Sequence, residues 1–150
     1  MNPLALRALW QTGRLYPEQV PALAVDLLAG GADSPALREL AGMDRPTRAE
    51  VEPAIDRALL ALGAPRLDED AAGRIAAREI AADTIAGRMA PYDAAISLSA
   101  LWLNHELPLE LAVFVGLVGE WVDHPAVRAE VEATILEECE QVLAEVHVEP

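Results

Sequence analysis

Two short clusters in this 150-residue chain carry the side chains of metal chemistry. His105-Glu106 with Glu110, and Glu120 with Asp123 and His124, offer imidazole nitrogen and carboxylate oxygen close together in sequence. Glu120 and His124 are four residues apart, the spacing that sets two ligands on one helix face. Pro125 breaks that face, because it makes Asp123-His124 a helix start rather than a helix interior. His105-Glu106 lacks the second histidine of a zinc-protease helix, and Pro108 interrupts the helix such a motif needs. A carboxylate-bridged di-metal bundle requires repeated Glu-x-x-His pairs on facing helices, and the sequence has none. Neither cluster predicts a metal, and no cofactor is expected.

Nucleophiles fare no better. Ser34 reads as part of a helix cap. Ser97 and Ser99 fall in an apolar helical stretch, where a hydroxyl bonds back to a carbonyl one turn earlier. Neither lies in a Gly-x-Ser-x-Gly elbow. Cys139 is the chain's one cysteine, which excludes an internal disulfide and a Cys-rich metal site. Its place on the apolar side of an acidic helix opposes thiolate formation. Gly30-Gly31 follows a helix and leads into a cap, which is turn chemistry rather than a phosphate loop. The expectation is a protein that is not an enzyme.

What remains is charge. The net charge is −14, with no lysine, and it is unevenly placed. Met1 to Arg88 holds 13 acids and 10 arginines; Met89 to Pro150 holds 12 acids and one arginine, Arg128. Such a surface repels nucleic-acid phosphates and suits a basic protein partner. The glutamates Glu130, Glu137, Glu138 and Glu145 lie at helical spacing opposite an apolar stripe of Val131, Ile135, Cys139, Val142 and Val146. Trp121, flanked by Glu120 and Asp123, is the aromatic best placed to anchor a partner. Trp10 and Trp102 end helices and read as core.

The elements that must position these residues read as helices throughout. Twenty-nine alanines, many leucines and a single phenylalanine favour close helix packing. Expected helices run from Pro3 to Thr12, Pro17 to Ala29 and from Ser34 to Gly42. A fourth opens at the capping box Thr47-Arg48-Ala49-Glu50 and ends near Leu62. Pro53 lies deep in it and predicts a kink or a later start. Gly63 to Leu67 reads as a linker, after which a long helix spans Glu69 to Ala86. Tyr92 to Val122 is the most apolar stretch and predicts two helices buried nearly all round. They start at Pro91 and Pro108 and turn at a polar corner, Asn104 to Glu106. Ala112, Gly116 and Gly119 supply small residues for close helix contact in the second of them. The last helix, capped by Asp123-His124-Pro125, reaches about Val146 and leaves His147 to Pro150 as a tail.

Two segments recur. Gly13-Arg14-Leu15-Tyr16-Pro17 returns as Gly87-Arg88-Met89-Ala90-Pro91, and Arg48 to Glu52 (RAEVE) returns as Arg128 to Glu132. This predicts an all-α chain of about eight helices in one domain, 1–150, built from two duplicated halves near 1–63 and 68–147. In pattern it resembles HEAT-like helical arrays, without a diagnostic repeat consensus. Arg14 and Arg88, at equivalent loops, are expected to bond helix-end carbonyls or to pair with acids of the next helix.

The functional expectation is a non-enzymatic, acidic interaction module that binds a basic protein, as an immunity protein or inhibitor of a nuclease does, or a regulatory adaptor. The alternative is a bundle that binds an apolar small ligand, or forms a homodimer, through the 92–122 helix pair. No secretory signal opens the chain, and Leu107 to Val118 is too short to span a bilayer, so no membrane role and a cytoplasmic location are expected.

Overall fold

A computed structural model describes residues 1–105, 107 and 109–145, the side chains of Leu109 and Glu110 excepted. Among the described residues the fold is all-α. Its helices are α1 (Pro3–Gln11), α2 (Val20–Ala29), α3 (Pro35–Ala41), α4 (Arg48–Ala61), α5 (Glu69–Ile85), α6 (Pro91–Asn104), α7 (Val113–Asp123) and α8 (Arg128–Glu145). Short 3-10 turns at Pro17–Gln19, Leu109–Ala112 and Pro125–Val127 lead into α2, α7 and α8. The chain divides into two compact units, Met1–Asp68 and Glu69–Pro150, each with four α-helices among the described residues.

Local chemistry explains most helix ends. Asn2, Ser34 and Thr47 accept from backbone N–H groups of the first turns of α1, α3 and α4, and Glu50 closes the capping box back onto Thr47. Gly13 and Gly87 carry positive φ (69° and 74°) at the ends of α1 and α5. At both, the following arginine's N–H reaches back to a carbonyl of the last turn, Leu9 and Asp83, at 2.8 Å. The side chains of those arginines diverge. Arg14 Nε donates to the Thr12 carbonyl, while Arg88 Nε donates to Asp83 of α5, the helix before it.

Of the expectations about helix limits, the capping-box start of α4 holds and two others change. Helix α4 begins at Arg48 despite Pro53, because the Thr47 cap and three turns of burial outweigh the lost N–H bond of one proline. Helix α7 begins at Val113 rather than near Pro108, with a 3-10 turn first. Asp123 and His124 make no side-chain cap to the turn before α8. Val146 and the tail after it, and Glu106 in the polar corner, lie outside the described residues.

In the first unit, α3 lies against α2 and α4, and α1 against α4. A buried arginine joins α1 to the rest. Arg7, 1% exposed, donates through Nε to the Ala64 carbonyl (3.0 Å) and through Nη1 to Asp56 Oδ1 (2.6 Å). One turn on, the Gln11 amide takes the Leu67 N–H (2.9 Å) and donates to its carbonyl (3.0 Å). The segment Gly63 to Leu67, expected as a linker, is thus stitched to α1 by two side chains. Trp10, fully buried, donates its indole N–H to Glu52 (2.9 Å) and lies under the Arg48 guanidinium, 4.2 Å from the ring centroid.

In the second unit, α5 lies against α6 and α8, and α7 against α6 and α8. Its core gathers Ala76, Ala77, Ile80 and Ala81 of α5, Leu98 and Leu101 of α6, Phe114 and Leu117 of α7, and Ile135 and Cys139 of α8. Gly73 is needed here for space. A Cβ at that position would come within 2.6 Å of Leu107 Cδ2. The α6–α7 pair is not buried all round, as its composition suggests. Ile96, Leu103, Val113, Val115 and Val122 are exposed, Leu103 to 65%, and Trp102 is half-buried. Each helix of the pair has one covered face because its neighbours in the unit reach only one side. An apolar composition states what a helix can bury, not how many neighbours come to cover it.

Arg7 and Asp56 yield an asymmetric expectation. Asp56→Ala leaves a buried guanidinium without its carboxylate and costs about 3 kcal/mol, since Asp56 itself is 42% exposed and partly solvated. Arg7→Met frees Asp56 to water, keeps the apolar volume and costs less. Urea denaturation of both variants checks the order.

Candidate functional site

Helix α8 carries the exposed carboxylates, and its orientation is fixed at both ends. Near its start, Trp121 of α7 is held on both ring faces. Tyr92 of α6 stacks on one (centroids 3.8 Å apart, planes 15° apart), and the Arg128 guanidinium lies 3.8 Å from the ring centroid. Arg128 Nε also donates to the Trp121 carbonyl (3.0 Å), and the indole N–H points to Glu132 Oε1 (3.4 Å). At the other end, Arg78 of α5 donates to the Leu143 carbonyl (2.8 Å), a cation on the negative end of the helix. Between these ends Val131, Ile135, Cys139 and Val142 are buried, as the periodicity predicts.

The two RAEVE segments make the same local device. Each arginine, Arg48 or Arg128, lies over a tryptophan and donates to that tryptophan's carbonyl, and the last glutamate, Glu52 or Glu132, receives the indole N–H. The tryptophans come from different places: Trp10 from the first helix of its unit, Trp121 from the third. The repeated sequence therefore encodes a repeated clamp rather than one topological position.

With α8 so fixed, Glu130, Glu137 and Glu145 are exposed. Glu138 is half-buried on the shoulder beside the apolar stripe, not opposite it. Glu140, absent from the predicted set, is exposed and completes the outward face; its spacing of three from Glu137 and ten from Glu130 was the available signal. Trp121 is half-buried, with both ring faces occupied, so only its edge is free to meet a partner.

The other candidate residues do not converge. Glu120, Asp123 and His124 are all exposed at the end of α7. Among the described residues no three His, Cys, Asp or Glu side chains are grouped to hold a metal ion. Glu106 lies outside the described residues and the Glu110 side chain is not described. Among the described residues, each unit has an open depression lined by acids. One of about 400 Å³ lies beside Glu39, Met43, Asp44, Pro46 and Glu50 in the first unit. There Glu39 pairs with Arg57 (2.8 Å) and Glu50 serves the Thr47 cap. The second, about 440 Å³, lies beside Glu69, Asp70, Asn104, His105 and Leu107 in the second unit. Asp70 there pairs with Arg74 (2.8 Å), and the buried His105 Nδ1 has no hydrogen-bond partner among the described residues. Ser34 caps α3 and Ser99 Oγ donates to the Ile96 carbonyl (2.9 Å), both as their positions predict. Among the described residues no helix is long and apolar enough to cross a membrane.

Cys139 is buried in the second unit, with the Thr84 hydroxyl of α5 close enough to act on its thiol. Burial pushes its thiol up from 9.0 to about 11; the Thr84 hydroxyl opposes the rise and the Glu138 carboxylate adds to it. Between those two values the unfolded chain has released a proton that the folded chain still holds, so stability falls as pH rises from 9 to 11. Thermal melts across that window are expected to decline in the native chain and to decline less in Cys139→Ala. Thiol-specific labelling of the folded protein at neutral pH is expected to be slow. Compared with known proteins, the chain matches no family model, and no curated protein or solved structure is similar to it.

Proposed function

We propose that the protein is a non-enzymatic interaction module that binds a basic protein through the outward face of α8, in the manner of an inhibitor, an immunity protein or a regulatory adaptor. The observation that carries this reading is a row of exposed carboxylates without counter-ions. Glu130, Glu137, Glu140 and Glu145 stand in no ion pair among the described residues. The unit they belong to, Glu69–Pro150, holds sixteen acids against four arginines, while Met1–Asp68 holds nine against seven. Glu145 lies in the last turn of α8, which carries no basic residue of its own; Arg78 of α5 meets that end only at the Leu143 carbonyl. A cationic surface gains from both. Charge of this kind acts chiefly on encounter rate and specificity.

The test is association kinetics with the partner recovered at low salt and released at high salt. The variant E130Q/E137Q/E140Q/E145Q is expected to associate at least about tenfold more slowly at low salt and to lose most of its salt dependence. Unchanged kinetics would remove the reading. A second reading is self-association through α6 and α7, favoured by the exposed Ile96, Leu103, Val113, Val115 and Val122. Light scattering over a wide concentration range is expected to show a rising mass if it holds, and a constant monomer mass removes it.

A further inference from the structure

Helix α7 contains two glycines that its own surroundings do not require. A Cβ built on Gly116 or Gly119 meets no described atom within 4 Å, and neither residue has positive φ. Each costs the helix about 1 kcal/mol relative to alanine. The chain has 29 alanines and buries many of them at helix contacts, so alanine is its ordinary small residue. Gly73 is the contrast, where Leu107 leaves no room for a Cβ. At 116 and 119 the glycines instead bare the helix backbone on a side where nothing of the unit approaches.

Helical spacing sorts this side into two adjacent rows. Val115, Gly119 and Val122 form one, and Gly116, Glu120 and Asp123 form the next. Val115 and Val122 are exposed (39% and 52%), as are Gly116, Glu120 and Asp123. Glu120 and Asp123 stand in no ion pair among the described residues. Both lie in the last turn of α7, where carboxylates oppose the helix dipole; the turn holds no basic residue of its own, and Arg128 of α8 meets it at the Trp121 carbonyl. The result is a shallow apolar notch, walled by two valines, floored by bare backbone and edged on one side by uncompensated negative charge.

We infer that this notch is the docking groove for an amphipathic α-helix of the basic partner, apolar on one face and flanked by Lys or Arg. The inference rests on the basic-partner reading above. Charge selects this occupant over a second copy of the chain. A copy laid two-fold on the same rows brings its own Glu120 and Asp123 to the face, within a unit of sixteen acids and four arginines. A basic amphipathic helix seats an apolar side chain between Val115 and Val122 and turns its cations to Glu120 and Asp123. The glycines let its backbone come closer than alanine would.

The probe is a synthetic Leu/Lys amphipathic helix of roughly 18 residues, with a Leu/Glu analogue as control, titrated into the full chain. G116A/G119A is expected to melt at a higher temperature, since both changes favour the helix. It is also expected to bind the Leu/Lys peptide at least about tenfold more weakly. A merely structural role for the glycines would not couple a gain in stability to a loss of binding. The Leu/Glu peptide is expected not to bind. The α8 variant E130Q/E137Q/E140Q/E145Q is expected to keep the alanine-sensitive binding. Peptide binding lost in that variant but untouched by the alanines overturns the groove and leaves the α8 reading standing. Absence of binding, equal binding of both peptides, or a concentration-dependent dimer abolished by the alanines overturns the groove as well.

Discussion

A guanidinium placed over an indole, with a carboxylate one turn further along taking the indole N–H, fastens a helix in both units. In the first, the Arg48–Trp10–Glu52 set ties the start of α4 to the end of α1. In the second, Arg128, Trp121 and Glu132 tie α8 to α7, and Tyr92 adds α6 to the stack. Cation–π attraction contributes about 0.5–2 kcal/mol in such contacts, more as the pair loses water. Its larger effect is directional. A guanidinium held over a ring, with a second bond to the carbonyl of the same tryptophan, leaves a helix few angles at which to leave the turn before it. The direction in which α8 presents its glutamates follows from that restriction.

The sequence carried the helix inventory well because its ends are chemically explicit. Ser34, the Thr47–Glu50 box, Gly13 and Gly87 act through their nearest neighbours, so their meaning survives without tertiary knowledge. The buried stripe of α8 was legible for the same reason, as one face of one helix. Readings that depend on neighbours failed. Nothing in Tyr92 to Val122 says that only one side of each helix meets another helix, so Val115, Val122 and Leu103 read as core and are exposed. Gly116 and Gly119 read as contact points for the same reason. The segment 63–67 looks like free chain in sequence, because nothing local announces that Arg7 and Gln11, more than fifty residues earlier, bind its backbone.

For the candidate face, the glutamate spacing was legible and its limits were not. Glu138 sits one shoulder off the outward row, a displacement that becomes clear only when Ile135, Cys139 and Val142 fix which side is buried. Trp121 looked like an anchor from its charged neighbours. Those neighbours say nothing of Tyr92, twenty-nine residues away in sequence, which covers one of its faces. Aromatic residues are ambiguous in this way wherever a helix ends, since the same ring serves a fold or a partner.

The fastening of α8 at both ends bears on the entropy of any encounter. A helix held by Arg128 at its start and by Arg78 at Leu143 has given up its backbone freedom during folding. A partner meeting Glu130, Glu137, Glu140 and Glu145 therefore finds them preorganised on a rigid rod, and only their side-chain rotamers remain to be ordered. Solvated carboxylates presented this way accelerate arrival without holding the partner for long. Residence time is then governed by whatever apolar contact follows, on a different surface from the one that drew the partner in.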